Sequence, residues 1–240
     1  MKFILINLLS LIVALSAEAG IMPASTRVVY EAHQREKTLM LVNTNRYPII
    51  VQSWVDKGAG DPDTTEAPFV VLPAVFRLQP ERTQGIKIVY NRDPMPADRE
   101  TLFWLNLYEI PPTTHMPNDN TKVTLTMNTQ LKLFFRPAGI MATLSEVADK
   151  LVFRIRVEPD GSYIECQNPG PLHVSLTSVA LVAAGNQYAV EKQPDMMIGP
   201  FSSRRYRFSA APPSNTSSQV KFQYLNDAGG VQEKTVPITR

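Results

Sequence analysis

The chain is a succession of short runs in which apolar and polar side chains alternate, each closed by turn residues. In the first half these runs are RVVYEA, TLMLVNT, IIVQSWVD, FVVLP, GIKIVYN, TLFWLNLYEIPP and VTLTMNTQLKLFFRP. In the second half come KLVFRIRVE, SYIECQN, HVSLTSVALVA, QYAVEK, SRRYRFSA, QVKFQYLND and KTVPIT. A period of two sends neighbouring side chains to opposite faces, which is the behaviour of a strand. No long segment has the 3.6-residue period of a helix, although the polar stretch around Ser145–Lys150 reads as either a linker or a helical turn. Short strands at regular spacing predict an all-β sandwich architecture.

The first residues set the compartment. Lys2 is followed by an apolar run from Phe3 to about Leu15 and by Ala17-Glu18-Ala19, the pattern of a secretory signal peptide. The run is shorter than the ~20 residues a membrane span requires, so cleavage near Ala19-Gly20 is predicted. That removes 19 of 240 residues and leaves 221. An immunoglobulin-like sandwich takes about 100 residues, so the mature chain fits two, predicted at 20–142 and 143–240. Cys166 is the one cysteine. An exported chain without an internal disulfide needs domains large enough to stand on their own cores.

Composition and motifs exclude several function classes. The net charge is +2, and no basic stripe or motif points to nucleic acid. No later segment approaches a membrane span. No nucleotide loop, zincin helix or nucleophile elbow is present. His33, His115 and His173 lack ligand spacing and read as surface or turn histidines, and Cys166 reads as a buried strand thiol. No catalytic site, cofactor or metal is expected. Asn215-Thr216-Ser217 matches the glycosylation sequon, a short and frequent motif.

The stretch from Val123 to Pro137 raises two questions. Val123, Leu125 and Met127 alternate with polar residues, as in a core strand or as in an edge offered to another chain. Lys132 and Arg136 sit in its most apolar half with no acid between them, so any partner comes from elsewhere in the chain or from another molecule. Asn128-Thr129-Gln130 interrupts the alternation, and a bulge there would change which face Lys132 shares with Met127.

DRETLFWLNLYEIPP (Asp98–Pro112) followed by LKLFFRPAGI (Leu131–Ile140) resembles the signature of the PapD-type periplasmic pilus chaperones of the chaperone–usher pathway. STRVVYEA (Ser25–Ala32), YPIIVQSWVD and FRLQPE fit the same family in the same order, and YLNDAGG (Tyr224–Gly230) fits in the second half. The resemblance implies two immunoglobulin-like domains in a boomerang with a cleft between them. It implies pilus-subunit clients whose sandwich lacks its last strand and transfer to an outer-membrane usher. Self-association of the client-free protein is a further way to cover an unpaired edge, and the sequence leaves it open. By position, Arg27 and Lys132 match the cations that hold a client's C-terminal carboxylate. Val123, Leu125 and Met127 match the residues that fill the client's groove, and Glu100, Arg136 and Asp227 match an interdomain charge cluster. Pro48 and Pro73 match family prolines, with Leu72-Pro73 a candidate cis bond. The single cysteine favours the short-loop branch, whose clients build rod-like adhesive pili, although TTHMPNDNTK is a few residues longer than that branch's norm.

Two other classes compete. A secreted fibre subunit would carry a donor extension ahead of its first strand, where only Gly20–Ser25 precede Thr26-Arg27. A carbohydrate-binding sandwich or extracytoplasmic enzyme would want clustered carboxylates or aromatic platforms. Trp54 and Trp104 instead lie in strand-like runs, and Trp54 is expected in the core.

Overall fold

Alternation in the sequence becomes alternation of burial in space. In the computed structural model, which describes residues 20–63, 66–112, 125–210 and 218–238, the first half folds into nine strands. They are β1 (Ile21–Pro23), β2 (Arg27–Glu31), β3 (Lys37–Asn43), β4 (Ile49–Asp56), β5 (Phe69–Leu72), β6 (Val75–Leu78), β7 (Thr83–Tyr90), β8 (Thr101–Ile110) and β9 (Met127–Arg136). One sheet has the order β1-β3-β7-β5 and the other β2-β9-β8-β4-β6. Their inner faces meet in one apolar core that includes Tyr30, Leu41, Val51, Ile86, Leu105, Leu133 and Phe135. Trp54 is buried as expected, with its indole N–H donating to Asp56 Oδ2 at 3.3 Å. The Leu72-Pro73 peptide bond is cis.

The second half opens with helix α1 (Leu144–Asp149), so the polar stretch is a helical turn. Thr143 explains why a helix starts here. Its hydroxyl accepts from the Glu146 N–H at 3.3 Å while the Glu146 carboxylate accepts from the Thr143 N–H at 2.8 Å, a capping box. Leu144, Val147 and Ala148 turn inward. Eight strands follow: β10 (Val152–Glu158), β11 (Gly161–Asn168), β12 (Val174–Ala183), β13 (Asn186–Ala189), β14 (Met197–Ile198), β15 (Ser202–Arg207), β16 (Ser218–Leu225) and β17 (Val231–Pro237). They form a sheet β10-β11-β15 and a sheet β13-β12-β16-β17, with β14 added to β12. A separate core, including Phe153, Ile164, Tyr206 and Phe222, lies between them.

The short strands β1, β6 and β14 have two to four residues, too few to show a period, and sequence patterning missed them. The predicted signal segment, Val123, His115, the sequon and most of the β8–β9 loop that bears on the short-loop assignment lie outside the described residues.

Cys166 is wholly buried in β11, and burial pushes its thiol well above the ordinary range. A thiol-specific reagent should leave Cys166 unlabelled in the native protein and label it fully in denaturant. Cys166→Ser should destabilise the fold by about 1–3 kcal/mol, because it buries a hydroxyl without a partner. Rapid native labelling would contradict both expectations.

Candidate functional site

The site is built where β2 meets β9. These strands run parallel, and the register pairs Arg27 with Lys132, Val29 with Phe134 and Glu31 with Arg136. Val28 and Tyr30, opposite Leu133 and Phe135, point into the core of the first sandwich. Parity therefore turns Arg27, Lys132, Phe134 and Arg136 to the other face. That face meets the second half of the chain, which is why two cations and a phenylalanine can share one side of a buried strand.

The β8–β9 ladder is continuous from Thr101–Phe135 to Glu109–Met127, so no bulge interrupts Asn128-Thr129-Gln130. Met127 and Lys132 consequently face opposite ways. Asn128 and Gln130 both donate to the side-chain oxygen of buried Asn106, at 3.1 and 2.9 Å. The polar interruption is thus an amide ladder on one face of the sheet.

Arg136 lies between two acids. Its Nε and Nη2 donate to Glu100 Oε1 at 3.1 and 3.0 Å, and its Nη1 and Nη2 form a fork onto Asp227 at 2.8 and 2.9 Å. Burial opposes the charge on Arg136, but hydrogen bonds and attraction from Asp227 and Glu100 outweigh it and raise its pKa. The other Glu100 oxygen accepts from the His173 backbone N–H and meets His173 Nδ1, both at 2.9 Å. The structure therefore brings Glu100, Arg136 and Asp227 together and adds His173. This corrects the expectation of a surface or turn histidine: the His173 side chain is only 9% exposed, and its ring packs against Phe134. No spacing rule could have shown this, because the contact joins residues 73 positions apart.

The two cations of the cleft differ. Arg27 is 7% exposed, and its Nη1 reaches only neutral groups, Ser175 Oγ and the Leu225 carbonyl, both at 3.5 Å. Its Nε is buried without a partner among the described residues. Burial draws the guanidinium below the ordinary arginine value against the pull of Asp227 and Glu100, and it still stays protonated at physiological pH. The sequence left open whether Lys132 finds its anion in this chain or on another molecule, and the structure places one within the chain: its Nζ lies 2.7 Å from Asp195 Oδ1. It also lies 5.6 Å from the centre of the Trp104 ring. A cavity of about 420 Å³ opens here, bounded by Arg27, Trp104 and Lys132 on one side and Ser175, Thr177 and Asp195 on the other.

Upstream of the cleft, β9 has an edge that is free among the described residues. From Met127 to Leu131 it is bonded to β8 on one side, while β2 covers the other side only from Lys132 onward. Leu125 is 82% exposed and Met127 48% exposed, so among the described residues of the apolar alternation neither is core.

Residues 20–141 match the PapD N-terminal domain of pili and flagellar-assembly chaperones, and residues 146–236 match the PapD C-terminal domain of pili assembly chaperones. The chain belongs to the PapD chaperone family. Among PapD-type relatives, a probable fimbrial chaperone YadV of Escherichia coli is 32% identical, with the alignment covering 91% of this chain and 89% of that protein. The chaperone protein FimB/FhaD of Bordetella pertussis is 31% identical over 90% of this chain and 87% of its own length. The crystal structure of the YadV chaperone superposes with a TM-score of 0.78 at 31% identity, covering 92% of this chain and all of that one. The Salmonella enterica SafB chaperone, solved in complex with the SafA pilin, matches with a TM-score of 0.73 at 29% identity, over 91% of this chain and 96% of the solved one.

The Arg136 cluster should divide into an inner and an outer pair. Arg136→Ala should cost about 3–5 kcal/mol, because Glu100 is 2% exposed and loses its guanidinium. Asp227→Ala should cost only about 1 kcal/mol, because Asp227 is 44% exposed and the inner pair survives. Urea unfolding of the two variants measures the difference, and equal costs would overturn the ranking.

Proposed function

We propose that this PapD-family chain is a periplasmic chaperone that caps pilus subunits by lending them β9 and passes them to an outer-membrane usher. The observation that carries this reading is the continuity of the free β9 edge with the Arg27–Lys132 cleft. An unpaired edge is a template for another chain, and strand addition is an established mode of recognition. β2 already occupies the edge beyond Lys132. A strand added upstream must therefore stop where the two cations stand. For its terminal carboxylate to reach Arg27 and Lys132, it must run in the same direction as β9.

Energies separate the roles. Val123, Leu125 and Met127 entering a client's groove supply a gross ~1.5–3 kcal/mol each. Charge-assisted hydrogen bonds from Arg27 and Lys132 to a carboxylate add about 1.5–3 kcal/mol each before desolvation is subtracted. The carboxylate also sets the register, since a slip by one residue turns every groove residue to the wrong face. Apolar residues hold the client and the cations place it. No step requires a cofactor or a covalent bond.

The SafB–SafA pairing of a relative with a pilin supports pilus subunits as the clients. The family's fimbrial relatives support the usher and the periplasm as setting. The apolar leader ending at Ala19 supports signal cleavage there. The gap between the two family matches at 142–145 supports domains of 20–142 and 143–240.

Leu125→Asp tests the lent strand. Because Leu125 is exposed, the charge should leave the chaperone soluble with an unchanged melting temperature. Buried in a client groove, the same charge should cost several kcal/mol and abolish recovery of co-expressed subunits from a periplasmic extract. Thr126→Asp should be milder, because neighbouring strand residues face opposite ways. Normal client recovery by Leu125→Asp, or its unfolding, would sink the reading.

A further inference from the structure

The ion pair between Lys132 and Asp195 has a different character from the Arg136 cluster. Lys132 belongs to β9 of the first sandwich, and Asp195 lies just ahead of β14 in the second. The Asp195 carboxylate holds Lys132 at 2.7 Å from the rim of the cleft, with its side chain 45% exposed. Glu100, by contrast, is sealed at 2% exposure. A carboxylate at the mouth of an anion-holding cleft already occupies one of the two cations, while the Arg27 side chain, its Nε buried and unpartnered, makes only long hydrogen bonds to neutral groups among the described residues.

We propose that Asp195 is an internal stand-in for the client's terminal carboxylate, occupying Lys132 while the cleft is empty and giving it up when a client's C-terminus arrives. The proposal deepens the carboxylate-anchoring role above and rests on it. The exchange is balanced in charge, with one carboxylate replacing another on the same ammonium. It does not strand the group released. Asp195 Oδ1 also accepts from the Met197 N–H at 3.1 Å, and Oδ2 lies 3.7 Å from Arg204 Nη1. Arg204 is fixed independently by the Met197 carbonyl and Gln193. Hydrogen bonding to Lys132 and Met197 and attraction from Arg204 overcome the effect of burial and hold the Asp195 carboxyl below its ordinary range. The group therefore stays anionic, and so competitive, at neutral pH. Its exposed side can take water once Lys132 leaves, so the cost of stranding a buried charge does not arise. Because the pair bridges the two sandwiches, its exchange also releases one tie between them.

The test uses the full mature protein and two soluble synthetic strand peptides of alternating valine and serine, identical except that one ends in a free carboxylate and the other in an amide. Titration calorimetry reads both affinities for wild type, Asp195→Asn, Asp195→Ala and Lys132→Ala. Asn keeps an acceptor for the Met197 N–H while removing the charge, and melting curves check that each variant is folded. Asp195→Asn should bind the carboxylate peptide about threefold to tenfold more tightly than wild type, the range of a partly exposed ion pair. Its affinity for the amide should not change. Asp195→Ala should behave alike, and Lys132→Ala should lose the preference for the carboxylate. A carboxylate preference in wild type that Asp195→Asn leaves unchanged or weakens would overturn the stand-in role while sparing the anchor. Equal binding of the two peptides by both wild type and Asp195→Asn would overturn the anchor and the stand-in together.

Discussion

The parallel pairing of β2 with the second half of β9 is the constraint on which the rest of the molecule depends. It closes the core of the first sandwich through Val28, Tyr30, Leu133 and Phe135. By parity alone it presents Arg27, Lys132, Phe134 and Arg136 to the other domain. It also ends partway along β9, leaving Met127–Leu131 with one bonded edge among the described residues. A longer β2 would have covered that edge, and a shorter one would have separated the two cations.

The three cations on this face serve at different depths. Arg136 is neutralised on both sides and ties the sandwiches together through Glu100 and Asp227. Arg27 is buried with little compensation, a state that is tolerable for a group that cannot shed its proton and useful if an anion is to arrive. Lys132 stands between these extremes, paired with a carboxylate that is itself half in water. The order follows from burial: a sealed pair is structural because breaking it strands a charge, whereas a rim pair can exchange.

Family motifs around Glu100, Arg136 and Asp227 made an interdomain cluster legible before any coordinates, because an arginine inside an apolar strand demands an acid. His173 and Asp195 were not legible. Each meets its partner across the domain junction, 73 and 63 positions away in sequence. Nothing in the residues around either one signals the contact. The polar interruption at Asn128-Thr129-Gln130 was visible as an anomaly, but whether it was a bulge or a ladder depended on Asn106 in the neighbouring strand.

The sequence by itself determined the all-β class and the faces of the long strands, because a period of two is a local property of the backbone and survives in any environment. The polar stretch around Ser145–Lys150 reads as either a linker or a helical turn, and the Thr143–Glu146 capping box is the local feature that makes it a helix. Only the tertiary structure decided which edge of β9 stays open, which of the two cleft cations already holds an anion, and that β2 runs parallel to β9 rather than against it. Those facts depend on which distant segments lie side by side. Parallel pairing and cross-domain ion pairs join residues far apart in the chain, and their partners are chosen by the packing of two complete cores.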